Sequence, residues 1–296
     1  MSGSTKRIVI CFLGILGGIA AWPVSELILS RQALFPSYLF FSAVLGAAIG
    51  LLFGIFFGTG EGIIASNKSK IISGAFAGAI IGLIGGGSGL LIGQFATFLI
   101  GETLLKSIRI FKDFSLPISR TIGWAVMGIF IGTIDGFRSK SLKKILIGLL
   151  GGFLGGITGG FVIEYLRFTF PDILYSRLTG FVIFGLLIAF FYSIVEKQFS
   201  RGALKLLNGL HKGKEFLINQ HKTRIGKIKQ NDIVLDYYRN IAERHADIII
   251  KGKSVIIKQN STTFPLYVNE EKVSETRLRY EDVIKIGSAK FFYKMK

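Results

Sequence analysis

Cysteine is almost missing from this chain: Cys11 is the single one in 296 residues. That excludes an intrachain disulfide framework and any cysteine metal cluster. Histidine is nearly as scarce, and His211, His221 and His245 are the whole set. Their spacing fits no local ligand motif, so neither a metal nor another cofactor is expected. Acidic residues are half as many as basic ones, 18 against 36, which leaves a net charge of +18. No nucleophile–base pair or constellation of catalytic carboxylates stands out. Gly85-Gly-Gly-Ser-Gly89 is followed by no Lys-Ser or Lys-Thr and lies within an apolar run, so it is not a P-loop. These absences favour a non-enzyme.

What is abundant is glycine, with 38 residues in a chain that is half apolar. The glycines concentrate in apolar runs before about residue 190 and follow no strict triplet, which excludes collagen and points to a membrane. Six stretches are long enough to cross a hydrocarbon core of ~30 Å as helices. They run over roughly 8–29, 37–59, 71–100, 120–135, 144–166 and 178–195. The first could instead be a signal peptide, but Glu26 and the lack of a clear cleavage site favour a retained span.

Basic residues orient the spans. Lys6 and Arg7, then Lys68 and Lys70, then Arg138, Lys140, Lys143 and Lys144, then Lys197 and Arg201 all fall on one side of six spans. That side is expected to be the cytoplasm, with both termini in it, at a plasma or inner membrane. Residues 101–120 disagree, because Lys106, Arg109, Lys112 and Arg120 fall on the outer side. An interfacial helix with Leu104, Leu105, Ile108 and Phe111 toward lipid would reconcile them.

An internal repeat runs through the spans. Gly54-Ile-Phe-Phe-Gly-Thr-Gly-Glu-Gly62 matches Gly128-Ile-Phe-Ile-Gly-Thr-Ile-Asp-Gly136 at an offset of 74 (128 − 54). The same offset carries Lys70 onto Lys144, and Gly74, Gly78, Gly82 and Gly86 onto Gly148, Gly152, Gly156 and Gly160. This reads as a duplicated helical hairpin, 46–94 and 120–168, within a transmembrane domain of 1–200. Both basic links lie on one side, so the copies run parallel, unlike the inverted repeats common in transporters.

Glycine recurs at every fourth position: Gly46, Gly50, Gly54, Gly58 and Gly62 in span two, with Gly128 and Gly132 in span four. Four residues make slightly more than one turn, so each set forms one stripe along which two backbones can approach. Second stripes, Gly85, Gly89 and Gly93, and Gly151, Gly155 and Gly159, give spans three and five another close-packing face. A tight bundle or a homo-oligomer is expected; the alternative is a Gly-packed oligomeric channel or transporter-like protein regulated by its tail. Glu61 and Asp135 sit where span meets basic link and are expected to pair with its Lys and Arg, or to cap the next helix. Gln94 and Glu164, near the other ends, read the same way.

From about residue 203 the periodicity changes to two. Glu215–Asn219, Asp232–Leu235, Ala246–Ile250, Ser254–Lys258, Leu266–Asn269 and Lys290–Lys294 read as short strands, which suggests a sandwich. Residues 201–296 carry 20 basic and 10 acidic side chains. The lysines are scattered through strand-like segments, so nucleic acid is an unlikely partner and anionic membrane lipid a better one.

Several ordered motifs in this tail resemble the forkhead-associated (FHA) family over about 203–296. Leu206–Ile218 looks like the family's opening strands. Ile225-Gly226 with a basic residue and then Asn231-Asp232-Ile233 matches its first signature, and His245-Ala246 its second. Tyr267-Val268-Asn269 followed by Lys272-Val273, and Leu278 through Gly287 with Asp282, Ile284 and Ile286, resemble its closing segments. The resemblance implies an all-β sandwich that reads phosphothreonine, in which Gly226, His245, Asn269 and Gly287 are structural.

The departures bear on chemistry. The family's phosphate-clamping Arg is here Lys227, a point charge without a bidentate fork. Its hydroxyl donor is Ala242, and its Asn-Gly-Thr is Phe264-Pro265-Leu266, so that loop loses amide and hydroxyl together. The expected binding residues are Lys227, Asn231, Ala242, Arg244, Phe264 and Tyr267. The reading is a membrane-anchored adaptor that recruits a signalling or assembly protein, with degenerate phosphothreonine recognition.

Overall fold

The computed structural model describes residues 3–99, 115–170, 174–209, 211–252 and 254–295. Six long helices come first: α1 (Gly3–Ser30), α2 (Tyr38–Ala65), α3 (Lys68–Ala96), α4 (Ser115–Arg138), α5 (Leu142–Thr169) and α6 (Leu174–Phe199). All six are long and apolar enough to cross a membrane. They extend past the apolar runs because polar residues cap them. Ser37, Asn67 and Ser141 accept the backbone N–H of Phe40, Lys70 and Lys144, three residues on. The expected interfacial helix, with Leu104, Leu105, Ile108 and Phe111, lies outside the described residues.

The duplication extends to the backbone of the two links. Ser66 and Lys140, 74 positions apart, both take a left-handed φ, 55° and 50°. The next residues, Asn67 and Ser141, are both N-caps. Their N–H groups close the same bond, to Gly62 O at 2.9 Å and to Gly136 O at 3.1 Å. Two hairpins therefore share one turn geometry.

Along each hairpin the glycines face each other. A Cβ on Gly50, Gly54 or Gly58 of α2 would collide with the carbonyl oxygen of Gly82, Gly78 or Gly74 of α3. In the second copy Gly132 meets Gly148 and Gly128 meets Gly152 in the same way, while Gly156 meets the Trp124 carbonyl. Lipid chains are as apolar as side chains, so no hydrophobic drive holds two spans together; close backbone packing supplies the attraction. The second stripes are filled by the same chain. Gly85 packs on Phe130 and Gly89 on Gly123 of α4, whereas Gly151, Gly155 and Gly159 pack on Tyr192, Ile188 and Phe184 of α6. Those faces are filled within the bundle, the first of the two arrangements expected for them.

Helix α6 returns to α1, where Gly185 meets Gly14, and Gly17 of α1 meets Phe53 of α2. The bundle closes around Phe53, Trp124, Met127, Ile131 and Phe184. The Phe53 and Trp124 rings both meet Phe184 edge-on, with centroids 5.3 and 5.1 Å away. At the link end, Glu61 of the first copy takes Arg138 and Lys144 of the second. Arg138 also donates to Lys70 O at 2.9 Å, which ties both links together. A carboxylate at this depth is costly unless paired, and the pairing runs between copies.

The described residues of the tail form eleven strands: β1 (Gly202–Leu206), β2 (Glu215–Leu217), β3 (Lys222–Gly226), β4 (Ile233–Val234), β5 (Ala246–Lys251), β6 (Ser254–Gln259), β7 (Leu266–Val268), β8 (Glu271–Val273), β9 (Glu275–Arg277), β10 (Val283–Ile286) and β11 (Ala289–Met295). They make two sheets, ordered β2-β1-β11-β10-β7-β8 and β4-β3-β5-β6-β9. All ladders are antiparallel except β3 with β4. Alternating side chains from both sheets, including Leu204, Ile225, Ile248, Ile257, Leu266, Ile284 and Phe291, fill one core. Alternation alone marks six of these strands. It misses five: β8 and β9, whose three residues are mostly charged or polar, and β1, β3 and β10, which do alternate in burial but are short, with Lys222 and Arg224 on the outer face of β3.

Candidate functional site

Three connections gather at one end of the sandwich: residues 227–232 after β3, 235–245 before β5, and 260–265 between β6 and β7. The chain ties them with polar groups. Lys227 N donates to Ala242 O at 3.0 Å and His245 N to Ile225 O at 2.9 Å. Asn260 N donates to His245 O, also at 2.9 Å. Gly226 is needed where it stands, because a Cβ there would collide with Glu243 O and with the Asn231 amide.

Asn231 is fully buried, and its Nδ2 donates to Glu243 O at 2.7 Å and Ile228 O at 3.1 Å. It is a strut between two connections, which corrects its expected place among the binding residues: a side chain without exposure cannot touch a peptide.

His245 is also fully buried. Ala242 N–H approaches its Nδ1 at 3.4 Å, and its Nε2 lies 3.3 Å from Pro265 O. This pairing requires the neutral imidazole with its proton on Nε2. Burial holds its pKa below the usual histidine value, partly opposed by the bond to Pro265. Phe264 stacks on the His245 ring, with centroids 6.5 Å apart and planes 11° from parallel. At the far side, Asn269 takes a φ of 50°, donates to Asp282 Oδ1 at 2.8 Å and accepts Val283 N at 2.8 Å. Gly287, with φ 54°, leaves room for the Arg239 and Asn240 carbonyls.

The tied loops frame a shallow, open depression lined by Ile228, Ala242, Glu243 and Arg244 on one side and Asn260, Ser261, Thr262 and Thr263 on the other. Of the six expected binding residues, the structure brings Ala242 and Arg244 to it. Lys227, next to the lining residue Ile228 on the same connection, is exposed and does not line it. Phe264 is half-buried against His245, and Tyr267 lies in β7 under the Lys285 ammonium, 5.6 Å from its ring centre.

Phe264-Pro265-Leu266 carries no side-chain amide or hydroxyl, but the residues just before it do. Ser261, Thr262 and Thr263 stand just before Phe264 and line the depression. The Ser261 hydroxyl is taken up by Thr263 N at 3.2 Å and Phe264 N at 3.4 Å, while Thr262 and Thr263 are exposed. The signal was a four-residue polar run between two strands. Chemically, this face offers one guanidinium, two exposed threonines and an asparagine amide, opposed by the Glu243 carboxylate. It suits hydrogen bonding to an extended peptide better than clamping a dianion.

A multi-pass membrane protein carrying a two-sheet β-sandwich that resembles FHA domains is the class that this fold defines. Comparison with known proteins bears on the tail: residues 205–296 match the family model described as the inner membrane component of T3SS, cytoplasmic domain. No curated protein matches the chain. Among solved structures, the chain is similar to the FHA domain of the CT664 protein from Chlamydia trachomatis, at 29% identity over 33% of this chain and 99% of that one, with a TM-score of 0.31. A structure from a study of phosphothreonine-dependent FHA domain interactions is 25% identical over 32% of this chain and 96% of that one, with a TM-score of 0.30. The cytoplasmic domain of the T3SS sorting platform protein PscD from P. aeruginosa is 17% identical over 32% and 79%, with a TM-score of 0.29.

Proposed function

We propose that this chain is a membrane-anchored adaptor, non-enzymatic, whose C-terminal domain (203–296) recruits a signalling or assembly protein from the cytoplasm to a helical domain (1–200) in the inner membrane. The family description matched by the tail supports the location and the assembly role. The six apolar helices agree with it.

The observation that carries the binding mode is the depression itself. Ala242 stands in it without a hydroxyl, Lys227 is outside it, and Glu243 is on its wall. A phosphothreonine dianion would meet one guanidinium and a nearby carboxylate, a weak match to the paired, charge-assisted bonds that tight phosphate binding uses. Partner binding through hydroxyl and amide groups, with phosphate adding little, follows.

The test is site-specific photo-crosslinking in cells, with the probe at Thr262 or, as a control, at Lys285 on the outward face of β10. A defined protein adduct at position 262 that exceeds the one at 285 is expected. Equal or no adducts at 262 would overturn the assignment of this face.

A further inference from the structure

The two hairpins differ at the end away from their links. The 74-residue offset carries Gly46 and Gly50 onto Arg120 and Trp124. The first hairpin closes there backbone to backbone, with Gly46 on Gly86. The second is held apart by side chains, and a cavity of about 110 Å³ opens beside it, lined by residues of all six helices. Its polar wall includes Arg120, Arg167, Arg177, Glu164, Gln94 and Trp124; Leu45, Ile49, Leu90 and Phe181 are among its apolar residues. In this measure one water occupies about 10–15 Å³, so the space takes several waters or one group the size of a phosphate.

Among the described residues the charges do not balance. Arg177 Nη1 donates to both Glu26 oxygens, at 3.0 and 2.9 Å. Glu164, only 4% exposed, accepts Trp124 Nε1 at 2.8 Å and Arg167 Nη1 at 3.2 Å. Both carboxylates are thereby engaged. Arg120 is the third cation. Its closest approach to Glu164 is 3.8 Å, an ion pair beyond hydrogen-bond range, and its Nε is buried with no hydrogen-bond partner among the described residues. A buried guanidinium N–H without an acceptor is costly, and the missing partner is an oxygen carrying negative charge. The site also lies near the helix ends, where tryptophan and arginine side chains meet the head-group layer.

We propose that this cavity binds a phosphate-class oxyanion, with Arg120 as its main ligand and Gln94 beside it. Either a phospholipid head group or free phosphate can present that chemistry. The cavity lies wholly within the bundle, and the inference is independent of the adaptor reading.

The chain has two tryptophans, Trp22 and Trp124. Trp22 Nε1 has no hydrogen-bond partner among the described residues, so Trp22→Phe removes no bond seen there and leaves Trp124 as the sole indole reporter in the cavity wall. The experiment follows Trp124 emission of the full chain in maltoside micelles, with sodium phosphate or phosphatidylglycerol added and sodium chloride at matched ionic strength as control. A saturable change with phosphate supports a free-anion site, and one with phosphatidylglycerol alone supports a lipid site. In either case Arg120→Gln is expected to weaken it at least about ten-fold, and Arg120→Lys less. No saturable change from either addition, an equal change from chloride, or an unaltered response in a helical Arg120→Gln chain would overturn the proposal. If Arg120→Gln does not fold, the Trp22→Phe titration with its chloride control still decides.

Discussion

In the bundle, glycine at every fourth position removes side chains so that α2 meets α3, and α4 meets α5, backbone against backbone. In the β domain, glycine is sparse and local: Gly226 and Gly287 clear space for loop carbonyls, and the ties are made by Asn231, His245 and Asn269. One region is held by what is absent from its helices, the other by polar groups at the ends of its strands. The difference follows from the surroundings. Between spans, packing is the attraction available; in a sandwich of short strands the core comes from alternation, and the loops need their own hydrogen bonds. The bundle should therefore fail when atoms are added, and the β domain when they are removed.

The largest expected effect comes from adding bulk to a facing glycine. Gly54→Leu should destabilise the bundle by about 3 kcal/mol or more, because the obstacle is the Gly78 backbone and cannot rotate away. Gly87, one position beyond Gly86 in α3, has only ordinary contact distances around it. Gly87→Ala should be neutral or stabilising by up to about 1 kcal/mol through helix propensity. Thermal unfolding of the two variants in maltoside compares them directly, and similar losses would break the distinction.

Removing atoms from the loops comes next. Asn231→Ala removes the amide that ties the Glu243 and Ile228 carbonyls together, leaving them only the backbone donors Ile228 N, at 3.5 Å, and residue 231 N, at 3.1 Å, and should cost about 1–2 kcal/mol. Tryptophan fluorescence, which reports on the bundle because both indoles are there, should not move, while the loss of β-sheet circular dichroism should come at lower temperature.

Acid provides a finer test. His245 titrates below its ordinary 6.5 when folded, chiefly because burial disfavours the charged ring. Between the folded value and 6.5 the unfolded chain binds more protons, so this contribution is complete above about pH 6.5 and declines as pH falls below it. The melting temperature of the β domain should drop between pH 7 and 5.5, and His245→Asn should flatten that slope. The smallest effect belongs to the surface: Glu275 faces Lys251 at 3.8 Å and Lys258 at 3.6 Å, all three exposed. Glu275→Ala should change stability by less than about 1 kcal/mol, and less still in high salt, read from the same melts.

The six spans and the facing of the two hairpins could be read from the chain, because apolar length and a strict glycine spacing are local properties. That Glu61 pairs with Arg138 and Lys144 of the other copy could not, since a repeat shows which residues correspond and not which ones touch. The cavity at Arg120 was hidden for the same reason: it needs all six helices in place. In the tail, His245, Asn269 and Gly287 were legible as structural through ordered motifs. Asn231 was assigned to the binding face because an amide in a loop has the same sequence signature whether it points out or in. Ser261, Thr262 and Thr263 were passed over because the departures at Phe264–Leu266 drew the comparison away from the residues just before them.

The central claim is that the loop face recruits a protein without depending on phosphate. The most direct measurement titrates the full chain in maltoside micelles, at physiological salt, with a phosphothreonine peptide library and its unphosphorylated twin. The account predicts affinities for matched pairs within about three-fold, well under the 1.5–3 kcal/mol of a hydrogen bond to a charged group. A consistent preference of ten-fold or more for the phosphorylated member would contradict it and would assign Arg244 and the two exposed threonines to a working phosphate site.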